Sequence, residues 1–276
     1  MHRRLRHCLL SVLLPLTLSV AVAAPAAAQT GAGPPGDTSG FEAIDGTTLR
    51  PATLSYDATM NAGGRSLDLS STLTVAATAT GGTDTWTFVN TIDTPRGTSR
   101  DSLVADRASL LPLSRHQSGP STLDLTYTGP SAADRAASGT MNVSGERTMG
   151  DRSVSIDTRL DGPTLAGGIH DVLALGAMPL SPGFRAALRV FSPQDQATKR
   201  AEFAVTGTET VETPAGSFET YAVDLNVGDG YVTGTVHLRK EAPHYYVKWR
   251  TEVNAARGSR TIVQTLSSMD LSTPTR

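Results

Sequence analysis

The sequence predicts an all-β, mainly antiparallel protein: a large curved sheet, half-barrel or two-sheet arrangement, with one short helix. Three observations carry that expectation. Apolar residues recur at period two in segment after segment, which puts them on one face of a pleated strand and the intervening polar residues on the other. Clusters of Gly, Pro and Asp separate these segments as hairpin turns. The chain also holds 37 threonines, and β-branched residues suit a pleated, half-exposed surface.

The elements follow in order. Arg3, Arg4 and Arg6 precede the apolar run Cys8 to Val22, and the small-residue stretch Ala23 to Ala28 supplies an A-x-A site. Residues 1–28 therefore read as a cleaved export signal that leaves a periplasmic or secreted chain starting at Gln29. No later stretch approaches the roughly 18 apolar residues that cross a bilayer. Residues 29–44, rich in Gly and Pro, read as a disordered leader, 45–271 as a single β-rich domain and 272–276 as a disordered tail.

Within the domain the apolar phase falls on Leu54, Tyr56, Ala58 and Met60, on Leu67, Leu69, Leu73 and Val75, and on Trp86 and Phe88. It continues at Leu123, Leu125 and Tyr127, at Val154, Ile156 and Leu160, at Phe203 and Val205, and at Tyr245, Val247, Trp249 and Val253. Gly63-Gly64, Gly81-Gly82, Pro214-Ala215-Gly216 and Gly228-Asp229-Gly230 mark the turns. One segment breaks the rhythm: Leu165, Ile169, Val172, Leu173 and Gly176 follow helical spacing before Pro179 ends the run. That predicts the single short helix, packed on the sheet.

The most sharply patterned stretch is VETPAGSFETYAVDL, residues 211–225. Pro214 presets φ for the second turn position and Gly216 can take the left-handed conformation that returns the chain to a strand. The turn fixes register, since a slip of one residue would send Tyr221, Val223 and Leu225 to the wrong face. Phe218 is out of phase with Tyr221, which predicts a bulge just after the turn.

Composition excludes several functions. The one cysteine, Cys8, lies in the signal, so the mature chain has no disulfide, thiolate nucleophile or cysteine-held metal. Removing the three signal arginines leaves 21 basic against 26 acidic side chains, a balance of about -5. Charges of both signs are scattered without runs, which argues against a nucleic-acid partner.

The segments GTETVETPAGSFETYAVDL and VHLRKEAPHYYVKWRTE resemble the carboxy-terminal half of an exported bacterial family, domain of unknown function 3108. RDSLVADRASLLPLSRHQSG and LRVFSP sit where that family places comparable segments. The likeness covers roughly residues 45 to 270, with the T-P-A-G-S-F turn and the V-K-W strand as its most specific parts. His237-Leu238-Arg239-Lys240 departs from the apolar or aromatic residue that often opens the family's final motif. The resemblance implies a periplasmic, β-rich protein without family catalytic residues and, by analogy of architecture, the curved half-barrels of lipoprotein carriers such as LolA and LolB.

Four histidines follow the signal: His116, His170, His237 and His244. His237, Glu241 and His244 read as exposed turn residues rather than a metal site, because Pro243 interrupts the segment. His170-Asp171 reads as the polar face and starting carboxylate of the helix. No cofactor and no metal is expected. The candidate ligand-binding residues are Trp86, Phe88, Tyr245, Val247 and Trp249 on the apolar phase, with Tyr246, Lys248 and Arg250 facing water. The leading expectation is a non-catalytic carrier of an apolar or amphipathic ligand such as a lipid. A second is a structural module that binds an envelope protein, and a third is an envelope hydrolase using His116 or His170.

Overall fold

Period-two alternation becomes pairing in a single fourteen-stranded antiparallel sheet. The structure, a computed structural model, describes residues 40–95, 97–129, 139–255 and 258–271. The expected signal, the leader as far as residue 39 and the tail from 272 lie outside the described residues.

The strands are β1 (Ala52–Ala62), β2 (Arg65–Thr80), β3 (Thr83–Thr94), β4 (Gly97–Asp106), β5 (Pro112–Ser118), β6 (Ser121–Thr128), β7 (Met141–Met149) and β8 (Arg152–Leu160). After the helix α1 (Ile169–Gly176) come β9 (Arg185–Ser192), β10 (Ala197–Thr213), β11 (Gly216–Val227), β12 (Val232–Arg239), β13 (Tyr246–Ala255) and β14 (Gly258–Leu271). Their order in the sheet is β8-β7-β6-β5-β4-β3-β2-β1-β14-β13-β12-β11-β10-β9. Nearly every neighbour is thus a sequence neighbour joined by a short turn. Gly63 and Gly64, like Gly81 and Gly82, all have positive φ (55, 75, 59 and 82°), as a two-residue hairpin turn matched to strand twist requires.

The sheet is unclosed, yet its two edges come within reach of each other. After β8 the chain lays Leu165 alongside β9, where Leu165 N–H donates to Arg189 O at 2.8 Å and Phe191 N–H to Leu165 O at 2.8 Å. Gln196 Nε2 donates to Ser155 O of β8 at 3.1 Å. Leu165, expected to open the helix, is held in this extended bridge instead, and α1 starts four residues later.

Register and burial define an inner face. Across β1 to β6 it carries the row Ala52, Val75, Phe88, Leu103, Arg115, Leu125. α1 packs on this face, with the His170 ring 6.2 Å from that of Phe88. His170 to Gly176 are all buried. The amino-terminal turns Phe41–Ala43 and Gly46–Thr48 cover the same end. Asp45 N–H donates to Ala177 O at 2.8 Å, Gly46 N–H to Ala108 O at 2.9 Å, and the Trp86 indole to Gly46 O at 2.9 Å. Phe41 and Ile44, assigned to the leader by the sequence, are 8% and 2% exposed. Apolar burial on this scale contributes roughly 1.5–3 kcal/mol per large side chain, so residues 40–44 belong to the folded domain.

The 211–225 hairpin forms as expected, with Thr213 paired to Gly216 and Gly216 at φ 126°. The register shift lies elsewhere, between Val205 and Gly207, and pairing from the turn to Ala222 is regular. Phe218 is instead the partner of Val211. The tip of this hairpin reaches β14, where Ala215 N–H donates to Leu266 O at 3.4 Å. Ala215 and Phe218 pack against the core, and the Arg239 guanidinium lies 5.9 Å from the Phe218 ring centre. A turn this definite is therefore a docking tip as well as a register lock.

Candidate ligand site on the inner face

The inner face is packed at one end and half-open at the other. At the α1 end Trp86, Phe88, Tyr245 and Val247 are at most 1% exposed. They are filled core, not the wall of a hollow. Tyr245 donates its hydroxyl to Arg50 O, fixing the segment before β13 to the segment before β1. Toward the opposite end, where the β1–β2, β3–β4 and β13–β14 turns lie, the same face presents half-buried Met60, Leu67, Leu69, Ile92, Ile262 and Val253.

Trp249 sits between these regions. Its cross-strand partners are Val236 and Gln264, and its ring meets that of Tyr246 edge-on at 5.8 Å. Tyr246 in turn stacks on Tyr56 at 4.2 Å and 4°. Tyr246 was expected to face water and is 1% exposed. The cause is a bulge: His237 pairs with Lys248 and Leu238 with Tyr246, so Val247 is the extra residue and three consecutive side chains are buried. Lys248 is half-buried and Arg250 exposed.

Polar residues occupy the middle of the inner face. Cross-strand pairing sets Asn90 beside Asp101 and Asp101 beside Gln117. Arg115, two residues away on β5, reaches Asp101 with both arms of its fork, Nε to Oδ1 at 3.0 Å and Nη2 to Oδ2 at 2.6 Å. Its Nη1 donates to Ala166 O at 2.6 Å. A bidentate guanidinium–carboxylate pair is geometrically specific and charge-assisted. The two side chains are only 14% and 19% exposed.

Asp171 and Tyr127 face this pair from α1 and β6. Burial pushes the Asp171 carboxyl up to about 7, with Arg115 and the Gly168 and Gly167 amides at the helix start opposing the rise. Burial also raises the Tyr127 hydroxyl, against the attraction of Arg115. His170 is pushed down to about 3 by burial. Its Nδ1 accepts from Ala166 N–H at 3.1 Å and its Nε2 lies 2.7 Å from Leu110 O, so both nitrogens are engaged and the ring is a neutral structural brace. The helix face expected to be polar and exposed is thus turned into the interior.

Five buried side-chain polar atoms among the described residues have no partner in the protein: Asn90 Oδ1, Tyr127 Oη, Asp171 Oδ1, Trp249 Nε1 and His237 Nδ1. The first four belong to the inner face or to α1 against it. Buried polar groups are almost always hydrogen-bonded, and each unmet one costs about 1–3 kcal/mol.

The remaining candidates lie outside this cluster. His116 pairs with Asp124 on an exposed strand face, whereas His237, expected as an exposed turn residue, lies within β12 with its side chain only 12% exposed and pairs with Glu209; His244 Nδ1 bonds Arg239 O at 2.7 Å. Pro214 and Gly216 serve the docked turn. A groove of about 560 Å³ on the outer face of β9–β11 is lined by Arg185, Arg200, Glu202 and Asp224. Two of its walls pair with each other, Arg200 Nε with Glu202 at 2.8 Å, and Asp224 accepts from Thr235 on neighbouring β12 at 3.0 Å.

Residues 55–265 match the family described as a protein of unknown function, DUF3108. The chain belongs to the DUF3108 family. Its fold is similar to that of a β-barrel-like protein of domain of unknown function DUF1849 from Brucella abortus, with a TM-score of 0.50 and 12% identity over 84% of this chain and 100% of that one. A Bacteroides fragilis protein with a YmcC-like fold aligns at TM-score 0.35 and 11% identity over 83% and 99% of the two chains. A DUF1329 family protein from Desulfovibrio piger aligns at 0.31 and 12% over 87% and 96%. No curated protein matches the sequence. At 12% identity the likeness to the DUF1849 protein shows the fold alone, and function has to be argued from the site. No helix of the described residues is long and apolar enough to cross a membrane.

Proposed function

We propose that this DUF3108 protein is an exported, non-catalytic binding protein of the cell envelope that holds an amphipathic ligand on the inner face of its sheet. The observation that carries this reading is that one face bears both half-buried apolar side chains such as Leu69 and Ile92 and unpartnered buried polar atoms at Asn90, Tyr127 and Trp249. An apolar chain would cover the first and a polar head would meet the second. Trp86, Phe88, Tyr245 and Val247 then form the rigid floor behind the ligand, and Trp249 is the one aromatic candidate that touches it. The engaged nitrogens of His170 support a non-catalytic role.

Native mass spectrometry of protein isolated from envelope fractions tests the reading. A retained amphiphile in the few-hundred-dalton range, released by organic solvent, is the expected result. Protein that is ligand-free from its native source, and that binds no amphiphile added in vitro, would overturn it.

The unclosed seam favours a second reading. Thr158, Arg159, Asp161, Arg189 and Gln196 line an opening of about 310 Å³ between β8 and β9, where an added strand from an envelope protein could complete the edges. Crosslinking from position 159 in intact cells separates this reading from the first.

A further inference from the structure

The cluster at the middle of the inner face has a definite hydrogen-bonding demand. Resting on the ligand reading above, we propose that Asn90, Asp101, Arg115, Tyr127 and Asp171 form a head-group subsite that selects a neutral, hydroxylated head group over an anionic one.

The charge arrangement argues first against an anion. Arg115 is the cation bonded within the group, and each of its three guanidinium nitrogens already donates, two to Asp101 and one to Ala166 O. Asp101 already balances the guanidinium charge, so a phosphate or carboxylate head would bring an uncompensated charge beside two carboxyls, Asp101 and Asp171. Its oxygens would also oppose Asn90 Oδ1, an acceptor without a partner, and Asp171 Oδ1 whenever that carboxyl is ionised. Of the three unpartnered atoms, an acceptor-only head group would leave Asn90 Oδ1 unmet in every case, and Asp171 Oδ1 as well once that carboxyl ionises.

A hydroxylated head group meets all three. Hydroxyls donate to Asn90 Oδ1 and take either role with Tyr127 Oη and with Asp171 Oδ1, whether that carboxyl is protonated or ionised. They bring no charge into a region where Tyr127 and Asp171 are 3% and 6% exposed, and burying an unpaired charge there would be costly. The Arg115–Asp101 pair acts as a positioning element. Its bidentate geometry holds β4 to β5, and Nη1 ties β5 to the segment leading into α1, so Asp171 on α1 and Tyr127 on β6 are presented together.

A site evolved for a ligand leaves a distinctive imprint on the free protein. Its polar atoms are unmet without ligand, so replacing them by apolar groups of similar shape should stabilise the free fold and weaken binding at the same time. A structural polar network shows the opposite.

The test uses the mature chain and three ten-carbon amphiphiles below their micelle concentrations, followed by calorimetry: decyl maltoside, decanoate and decyltrimethylammonium. Decyl maltoside should bind at least about tenfold more tightly than decanoate, and decyltrimethylammonium, which has no donor, should not match the maltoside. Tyr127→Phe and Asn90→Leu should each weaken maltoside binding by about fivefold or more while raising the urea midpoint of the free protein. Preference for decanoate, equal binding of all three, or variants that lower the midpoint without changing affinity would each overturn the subsite; the last would mean that ordered water alone completes these atoms. Binding by none of the three would instead strike the ligand reading itself.

Discussion

Replacing Asp171 by Asn should uncouple the stability of this protein from its present balance of buried protons. Asp171 in the folded chain titrates near 7, raised by burial from an ordinary value of 3.8. The protonated form is therefore the stabilising one: its contribution is complete below about pH 4 and is lost as pH rises through 7. His170 runs the other way. Its folded value of about 3, lowered from 6.5, makes the neutral ring stabilising above pH 6.5, and that stability is lost as pH falls toward 3.

Between roughly pH 4 and 6.5 the folded pair holds one proton on Asp171 and the unfolded pair holds one on His170, so together they add no slope. Asparagine imitates the protonated acid and cannot titrate. The variant should gain on the wild type by about 1.4 kcal/mol per pH unit from pH 4 to 7, on the order of 4 kcal/mol in all, and the difference should then level off. Urea unfolding at half-unit steps from pH 4 to 8 measures it. A difference that stays flat across this range would show that Asp171 titrates as an ordinary carboxyl, that its surroundings are wet, and that the cluster is not the dry site described.

Other outcomes follow from the packing. Gly216→Val should cost about 1–3 kcal/mol in denaturant unfolding, because φ at 126° is strained for a β-branched residue although an added Cβ would meet nothing within 4 Å; an unchanged midpoint would contradict it. Trp86→Ala should cost about 3–5 kcal/mol by the same measurement, since the ring is 0% exposed and its indole holds Gly46. The exported chain should begin at Gln29 by amino-terminal sequencing, and an intact Met1 on a membrane-bound product would contradict the assigned signal.

Much of the fold was legible because most strands obey the two-residue repeat. Leu54 and Tyr56, Trp86 and Phe88, and Leu123, Leu125 and Tyr127 all lie on the buried face their phase assigns. The repeat failed where strands bulge. At Tyr245, Tyr246 and Val247 an extra residue turns a third side chain inward, and nothing in the local pattern marks it. The polar site was hidden for a different reason: Asn90, Asp101 and Arg115 occupy the inward phase of strands, where a polar residue in sequence reads as the wet face. One signal pointed there. Asp101 shares its phase with Leu103 and Ala105, both buried, inside the segment RDSLVADRASLLPLSRHQSG that carries the family resemblance. His170-Asp171 was misread because an eight-residue helix on a curved sheet can be buried on every side, which helical spacing alone does not reveal.

The two tryptophans offer the most direct test of an inner-face ligand site. Each indole N–H gives its own nuclear magnetic resonance signal. That of Trp86 is tied to Gly46 O at 2.9 Å inside the packed end, whereas that of Trp249 is buried without a partner beside the half-open end. Titration of the mature chain with decyl maltoside should move the Trp249 indole signal and leave the Trp86 signal in place. If neither indole responds while outer-face resonances do, the ligand does not occupy the inner face and the account is contradicted.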